Sequence, residues 1–397
     1  MTPTDFMRSF ISQSWLEDEI EGSIRQLAGT ESQTTQTGGE TAEGKEEEVN
    51  KNVTPEEAFK AVTVEGPELL NQMHTSAMTY PNTYDKFLNN MDMNRIPHLY
   101  CFDHSRVELA PQDGKDDFYN ASWVDGYSKK SAYIFAQAPF NDHTEYVFWR
   151  MVSERKPSMI LVFGDIDEKQ KRKAPYDISD RGFEKSFLHE FGAKSLEECE
   201  LKAKICRKFW PEKGSKKDFP ALSIQASDDH SETHMKTFNL TVTEKKQDHQ
   251  TVLMHFYEWA DASKLPEYML DMRASIKLQY IRSSKKTGVC IGPIMLVCAT
   301  GVEKCAIYAT IDIIVSRITE EHRVGFKETM SAIKMQRFGC FRTVGPYSTA
   351  CEMLMKFAVT TGVVHDAAIG EKPKPQKSIV GKGPKSGFIT KKKPSGK

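Results

Sequence analysis

The chain has 397 residues, 39% of them hydrophobic and 27% charged, a balance that suits a globular protein with one large domain or two ordinary ones. Its formal net charge of −1 conceals an acidic head, densest in "EGKEEEV", and a basic end set by "KPKPQK" and "TKKKPSGK". No window approaches the ~20 apolar residues that span a bilayer. Eight scattered cysteines without a C-x-x-C pair exclude the commonest zinc and redox motifs and argue against a disulfide scaffold.

The opening "MTPTDFMRSFISQSWLEDEI" carries acids and no long apolar core, so no secretory signal is expected. The expected compartment is the cytoplasm, with the nucleus as the alternative. Phe6, Phe10, Leu16, Ile20, Ile24 and Leu27 follow a helical spacing and predict an amphipathic helical segment over residues 1–29. Such a segment either packs on the main domain or binds a partner. Residues 30–52 are polar and acidic and cannot bury enough apolar surface to offset the entropy of ordering, so they read as a disordered linker.

Order resumes at "TPEEAF", where Thr54 is a helix cap, Pro55 the first helical residue and Glu57 the partner in a capping box. From there the runs "SMILVFG", "TFNLTVTEK", "TVLMHFYEW" and "IMLVC" alternate with helical patterns, which implies an α/β domain over residues 53–362. "HSETH" (230–234) sets two histidines four apart with no third ligand beside them. An ordinary polar turn is expected there, and no metal or other cofactor. Residues 363–397, rich in Lys, Gly and Pro, read as a disordered basic tail, either solvated or touching acidic partners.

The most informative stretch is "IMLVCATGVEKCAIYATIDI" (294–313), an apolar run, a small-residue loop and a second apolar run. Cys298 ends the first run, Ala299, Thr300, Gly301, Val302 and Glu303 form the loop, and Lys304 and Cys305 open a helix. A strand end, a glycine and a helix start make a place where backbone N–H groups converge on an anion. The partial positive charge of the helix also lowers the pKa of a thiol there. On spacing alone a buried structural cysteine is the more ordinary reading, because free Cys is among the most buried residue types.

Other blocks change that reading. "NRIPHLYCFDHSRVEL", "DFYNASWVDGY", "YIFAQAPFNDHTEYVFWRMV", "ICRKFWPEKG", "HFYEWADASKLP", "VCATGVEKCAIYATIDI" and "MQRFGCFRTVGPY" follow one another over about residues 80–355. In content and order they resemble the blocks of the tyrosine-specific protein tyrosine phosphatase family. The resemblance implies a central twisted mixed β-sheet with helices on both sides. It also implies a mechanism in which a cysteine thiolate attacks phosphorus, an aspartic acid protonates the leaving tyrosine oxygen and an arginine grips two phosphoryl oxygens. The matching residues here are Cys298, Asp261 and Lys304.

Several matches depart from the family pattern. Lys304 keeps the charge of the arginine but not its planar fork, and losing one aimed donor costs ~3–4 kcal/mol of transition-state stabilisation. Glu303 stands in place of a glycine, where its carboxylate faces an incoming phosphate and its Cβ resists a left-handed backbone. Cys305 replaces a Ser or Thr whose hydroxyl supports the thiolate, and Val297 replaces a histidine, which leaves Cys298 expected near its free pKa of ~8.5. Cys305 beside Cys298 also suggests a redox pair, with packing as a small core residue the ordinary alternative.

The ring clamp and the backbone clamp of the family are matched by Ile96 and His98, its water-positioning glutamine by Arg342, and the Pro of its acid loop by Ala260. Arg342 either attracts an anion or pairs with Glu303. Trp149, Trp210, Trp259, Asn120, Asp125 and Tyr127 match the scaffold. An intact frame around an altered centre implies a catalytically inactive or strongly impaired domain that binds a protein partner, such as a phosphoprotein, in phosphotyrosine signalling. The alternative is an active phosphatase working through a Cys298 phospho-cysteine.

Overall fold

The computed structural model of the chain describes residues 54–76, 82–96, 99–111, 117–164, 166–167, 206–259, 262, 264–287, 292–342 and 344–364. The expected N-terminal helix, acidic linker, basic tail and most of the polar insertion after "LVFGD" lie outside them, as do Asp261, Ala260 and His98.

The described chain starts where the capping box places it. Glu57 N–H donates to Thr54 Oγ1 at 3.3 Å, Thr54 N–H donates to Glu57 Oε2 at 3.1 Å, and Pro55 opens helix α1 (Pro55–Glu65). Helices α2 (Pro67–Ser76) and α3 (Asp85–Asn89) follow, the latter leading into a 3-10 turn at Met91–Met93.

One eight-stranded sheet organises the rest. Its strands are β1 (Ala121–Val124), β2 (Tyr133–Gln137), β3 (Met159–Phe163), β6 (Lys216–Asp218), β7 (Leu222–Ser231), β8 (Met235–Glu244), β9 (Gln247–Phe256) and β10 (Ile294–Cys298), while β4 (Ile166–Asp167) and β5 (Cys206–Arg207) form a separate parallel pair. The spatial order is β1-β2-β10-β3-β9-β8-β7-β6. Strands β2, β10, β3 and β9 are parallel, and antiparallel pairs flank them on both sides. The expected mixed sheet is therefore present, and its parallel centre explains why "SMILVFG" and "IMLVC" are continuously apolar. Parallel strands are covered on both faces.

Alternation along β10 assigns its side chains to two cores. Ile294, Leu296 and Cys298 join the one beneath α6 (Glu303–Glu321), together with α5 (Met269–Thr287), α7 (Phe326–Gln336) and α8 (Val344–Thr360). Met295 and Val297 join the other, beneath α4 (Asp142–Arg155). The second core gathers Phe148, Trp149, Phe209 and Trp210, and Trp149 Nε1–H satisfies its polar edge on Phe209 O at 3.0 Å. Each such ring contributes roughly 1.5–3 kcal/mol by leaving water.

A buried acid ties the two helices nearest the candidate site. Asp312 of α6, 2% exposed, accepts from Tyr133 Oη at 2.5 Å, from Arg273 Nε at 2.8 Å and from Lys277 Nζ at 3.1 Å. Both cations lie on α5, so the helix that the cysteine loop leads into is fastened to α5. The histidines of "HSETH" take separate partners: His230 approaches Glu232 at 3.6 Å, and His234 bonds Glu258 at 2.7 Å and stacks on Tyr268.

Candidate active site

Strand β10 delivers Cys298 to the carboxyl edge of the parallel strands, and the chain reverses at once. Ala138 N–H and Gly301 N–H both donate to Cys298 O, at 2.9 and 3.1 Å. Gly301 makes the turn with φ +67° and lies flat on strand β2. A Cβ placed there falls 2.4 Å from both Ala136 C and Gln137 N. Glycine is required twice over, by conformation and by contact.

The reversal is clamped by Arg337, the residue after α7. It is fully buried, and it donates from Nε to Gly301 O at 3.1 Å, from one terminal nitrogen to Thr300 O at 3.3 Å and from the other to Ser122 Oγ at 3.3 Å. In a trans peptide the carbonyl and the following N–H point in opposite directions. Drawing Gly301 O toward Arg337 therefore aims the Val302 N–H the other way, at Cys298, where it favours the thiolate. Arg337 was not singled out in the sequence, because "KMQRF" reads as a polar helix end with nothing to mark one arginine as buried.

Around the sulfur, Cys305 Sγ lies 3.6 Å away and Thr300 Oγ1 3.7 Å away. Burial pushes the Cys298 thiol up, but the Cys305 S–H, the charge of Lys304, the Val302 N–H and the Thr300 hydroxyl together hold it well below the usual cysteine range. Burial and the neighbouring Cys298 push the Cys305 thiol well above that range. This corrects the expectation that Cys298 stays near its free value. The lost hydroxyl is replaced by a thiol that still donates, and the loop amide adds a second donor. The rate of iodoacetamide alkylation of Cys298 against pH is expected to inflect well below the free-cysteine value, and to shift upward in Cys305→Ala.

The backbone objection to Glu303 also falls. It is the first residue of α6 and does not have positive φ, the left-handed position of the loop being Gly301. Its half-buried carboxylate lies in the first turn of α6, where the positive end of the helix dipole stabilises it.

Lys304 is only 6% exposed. Its Nζ donates to Trp259 O and lies 5.8 Å from the centroid of the Trp259 ring. The ammonium occupies the space beside Gly164 (φ +104°), where a Cβ would be 2.5 Å from Nζ. Trp259 is itself packed against Phe163, whose ring also meets Tyr308 of α6. Lys304 thus spends a donor on the main chain at Trp259, two positions before Asp261 in sequence.

The remaining predicted residues divide. Ile96 is 2% exposed and belongs to the same core as Leu99 and Val302. The segment bearing it is pinned by Arg95 N–H on Gln137 Oε1 at 3.0 Å, and by Asn120 Nδ2 on Asn94 Oδ1 at 2.8 Å and on Leu99 O at 3.3 Å. Ala299 is buried against the α4 core. Arg342 is exposed, just after the turn at Gly339 (φ +82°). Asp125 accepts from Ser131 N–H and Gln336 Nε2, and Tyr127 donates to Glu321, so both support loops as expected. Among the described residues no group of three or more His, Cys, Asp or Glu is placed to hold a metal, and no helix is long and apolar enough to cross a membrane.

Comparison with known proteins agrees with this geometry. The model of the protein-tyrosine phosphatase family matches residues 90–184 and 195–356. The rat tyrosine-protein phosphatase non-receptor type 9 is 25% identical over 288 residues, covering 69% of this chain and 43% of that protein. The human receptor-type tyrosine-protein phosphatase zeta is 27% identical over 262 residues, covering 63% of this chain and 10% of that protein. The Lar-like tyrosine-protein phosphatase of Caenorhabditis elegans is 26% identical over 253 residues, covering 62% and 10%. The chain therefore spans less than half the length of these relatives. The matched segments fill more than half of the chain and enclose β10, its loop and α6: the chain belongs to the protein-tyrosine phosphatase family.

Proposed function

We propose that this domain is a phosphatase-like binding module whose phosphoester hydrolysis is absent or strongly impaired, acting in phosphotyrosine signalling from the cytoplasm. The observation that carries the reading is the seat of Lys304. The cation at the position of the phosphate-gripping arginine is a point charge, and its ammonium is bound to Trp259 O. Ile96 in the core and Glu303 at the loop support it from the substrate side, since neither presents a flat ring or a cation to a phosphotyrosine. The partner in this reading is a protein, with a phosphorylated segment drawn to the N–H groups of the loop. Calorimetric titration with one tyrosyl peptide in phosphorylated and plain forms tests it. Tighter binding of the phosphorylated form is expected, and equal affinities contradict phosphate-dependent capture.

A second reading is favoured by one specific observation. The Cys305 S–H, 3.6 Å from Cys298 Sγ, the Thr300 hydroxyl at 3.7 Å and the charge of Lys304 all favour the thiolate of Cys298, the attacking species of a cysteine phosphatase, so a slow enzyme using Cys298 and Asp261 is the competing account. It requires phosphate release that Cys298→Ser abolishes.

A further inference from the structure

We infer that a polar cleft at the edge of the sheet remote from Cys298 binds a sugar phosphate. The site is separate from the cysteine loop and does not depend on whether that loop binds or hydrolyses a phosphoester.

Strand register makes the cleft. Cys298 ends β10, whereas the cleft lies where the parallel strands begin, the length of β10 away, ~17 Å. β3 starts opposite Val252, and Gln247–Thr251 of β9 run on past it. The turn after α4 and the last part of α5 wall the space beside them, whose volume is about 770 Å³. Small-molecule sites span ~300–1,000 Å³. Thr241 pairs across with Gln250, and Asn239 with Val252. Alternation puts these four on the sheet face toward α5, where Gln279 and Arg282 stand one turn apart. Thr251 also lines the cleft, and its buried hydroxyl has no hydrogen-bond partner. That cost is relieved by a polar occupant once the side chain turns about χ1.

The charged groups select the ligand. Lys156, which ends α4 in the left-handed conformation (φ +49°), and Arg282 of α5 reach the cleft from different walls. Both are exposed, and neither has an acidic partner among the described residues. Arg155 is already engaged by Glu108 O and by Glu154 at 3.9 Å. Burial, and with it the charge of Lys156, lowers the pKa of His249 against the bond to Pro157 O that raises it. The neutral ring donates from Nε2 to Pro157 O at 2.9 Å, which leaves Nδ1 as an acceptor. Asp248 accepts from Thr243 on Oδ1 at 2.7 Å and keeps Oδ2 for a second donor. The two cations call for a phosphate, whereas Asp248 and His249 beside the amides call for hydroxyl groups, which both donate and accept. Of the lining side chains only Leu240 and Val252 are apolar, and no Phe, Tyr or Trp offers a face on which a nucleobase stacks. A phosphate joined to a polyol fits this set better than a nucleotide or a bare anion.

Calorimetric titration of the full chain with glucose 6-phosphate and ribose 5-phosphate, beside glucose, ribose and inorganic phosphate, tests the site. A sugar phosphate is expected to bind about tenfold or more tightly than either of its parts alone, since the two ends meet different walls. Arg282→Gln and Lys156→Gln, both at the surface, are each expected to weaken that binding by about tenfold. Thr251→Val keeps the shape and removes the unpaired hydroxyl, so it is expected to melt higher than the parent and yet to bind more weakly. No binding of either sugar phosphate, inorganic phosphate binding as tightly as both, or the affinity of the parent in Arg282→Gln overturns the proposal. The last of these outcomes would move the phosphate to another site, the cysteine loop included.

Discussion

Arg337→Met is expected to lower stability by about 3–5 kcal/mol, read as a lower urea midpoint at unchanged m-value. Methionine fills much of the same volume, so the loss is one of hydrogen bonds and charge rather than of packing. Arg337 is wholly buried and gives its protons to three uncharged oxygens, the carbonyls of Thr300 and Gly301 and the hydroxyl of Ser122. Removing it strands the two carbonyls, each costing roughly 1–3 kcal/mol if left unpaired in the interior, takes the charged donor from Ser122 Oγ, which keeps only Cys101 Sγ at 3.6 Å, and leaves the loop reversal unclamped. Relaxation of the loop recovers part of that, which brings the total to the stated range. The same relaxation frees the Val302 N–H from its aim at Cys298, so the pH inflection of alkylation is expected to rise along with the loss of stability. A variant that unfolds earlier but keeps the inflection of the parent contradicts the proposed link between clamp and thiol.

Gly301→Ala is expected to be of similar size, about 2–6 kcal/mol, combining the ~1–3 kcal/mol of a left-handed non-glycine residue with ~1–3 kcal/mol of overpacking. The added methyl group meets backbone, not a flexible side-chain end. Ala136 C and Gln137 N stand at 2.4 Å and Ala136 O at 2.7 Å from the Cβ position. These atoms belong to β2, which is hydrogen-bonded to β10 on one side and β1 on the other, so it cannot move aside without opening the sheet. Thermal unfolding followed by circular dichroism measures the effect. A melting temperature within a degree or two of the parent would show that the loop lifts off β2 freely.

Much of the fold was legible in residues whose signals are local. Thr54, Pro55 and Glu57 specify a helix start by chemistry within four positions, and the capping box forms. "IMLVC" and "SMILVFG" are apolar at every position because both faces of central parallel strands are covered. The placement of Cys298 between strand and helix followed from the same reading. What could not be read were directions in space. Lys304 invites a picture of a cation facing the loop, yet its stem carries the charge to a carbonyl 45 positions earlier. Ile96 reads as a missing clamp, whereas in the fold it is a core residue. The low pKa of Cys298 depends on a thiol seven positions on, an amide aimed by a distant arginine and a neighbouring charge. No local pattern shows that sum.

With Lys304 held on Trp259, the altered centre is proposed to hydrolyse phosphoesters far more slowly than its scaffold would allow. The measurement that tests it most directly is release of phosphate from a small aryl phosphate by the full chain, beside Cys298→Ser and Lys304→Arg. The parent is expected to be indistinguishable from Cys298→Ser, or slower than a working enzyme by ~100- to 1000-fold or more, the size of one lost aimed donor. Steady turnover in the parent that vanishes in Cys298→Ser and is not improved by Lys304→Arg would contradict it, because the lysine would then be serving as a sufficient phosphate grip.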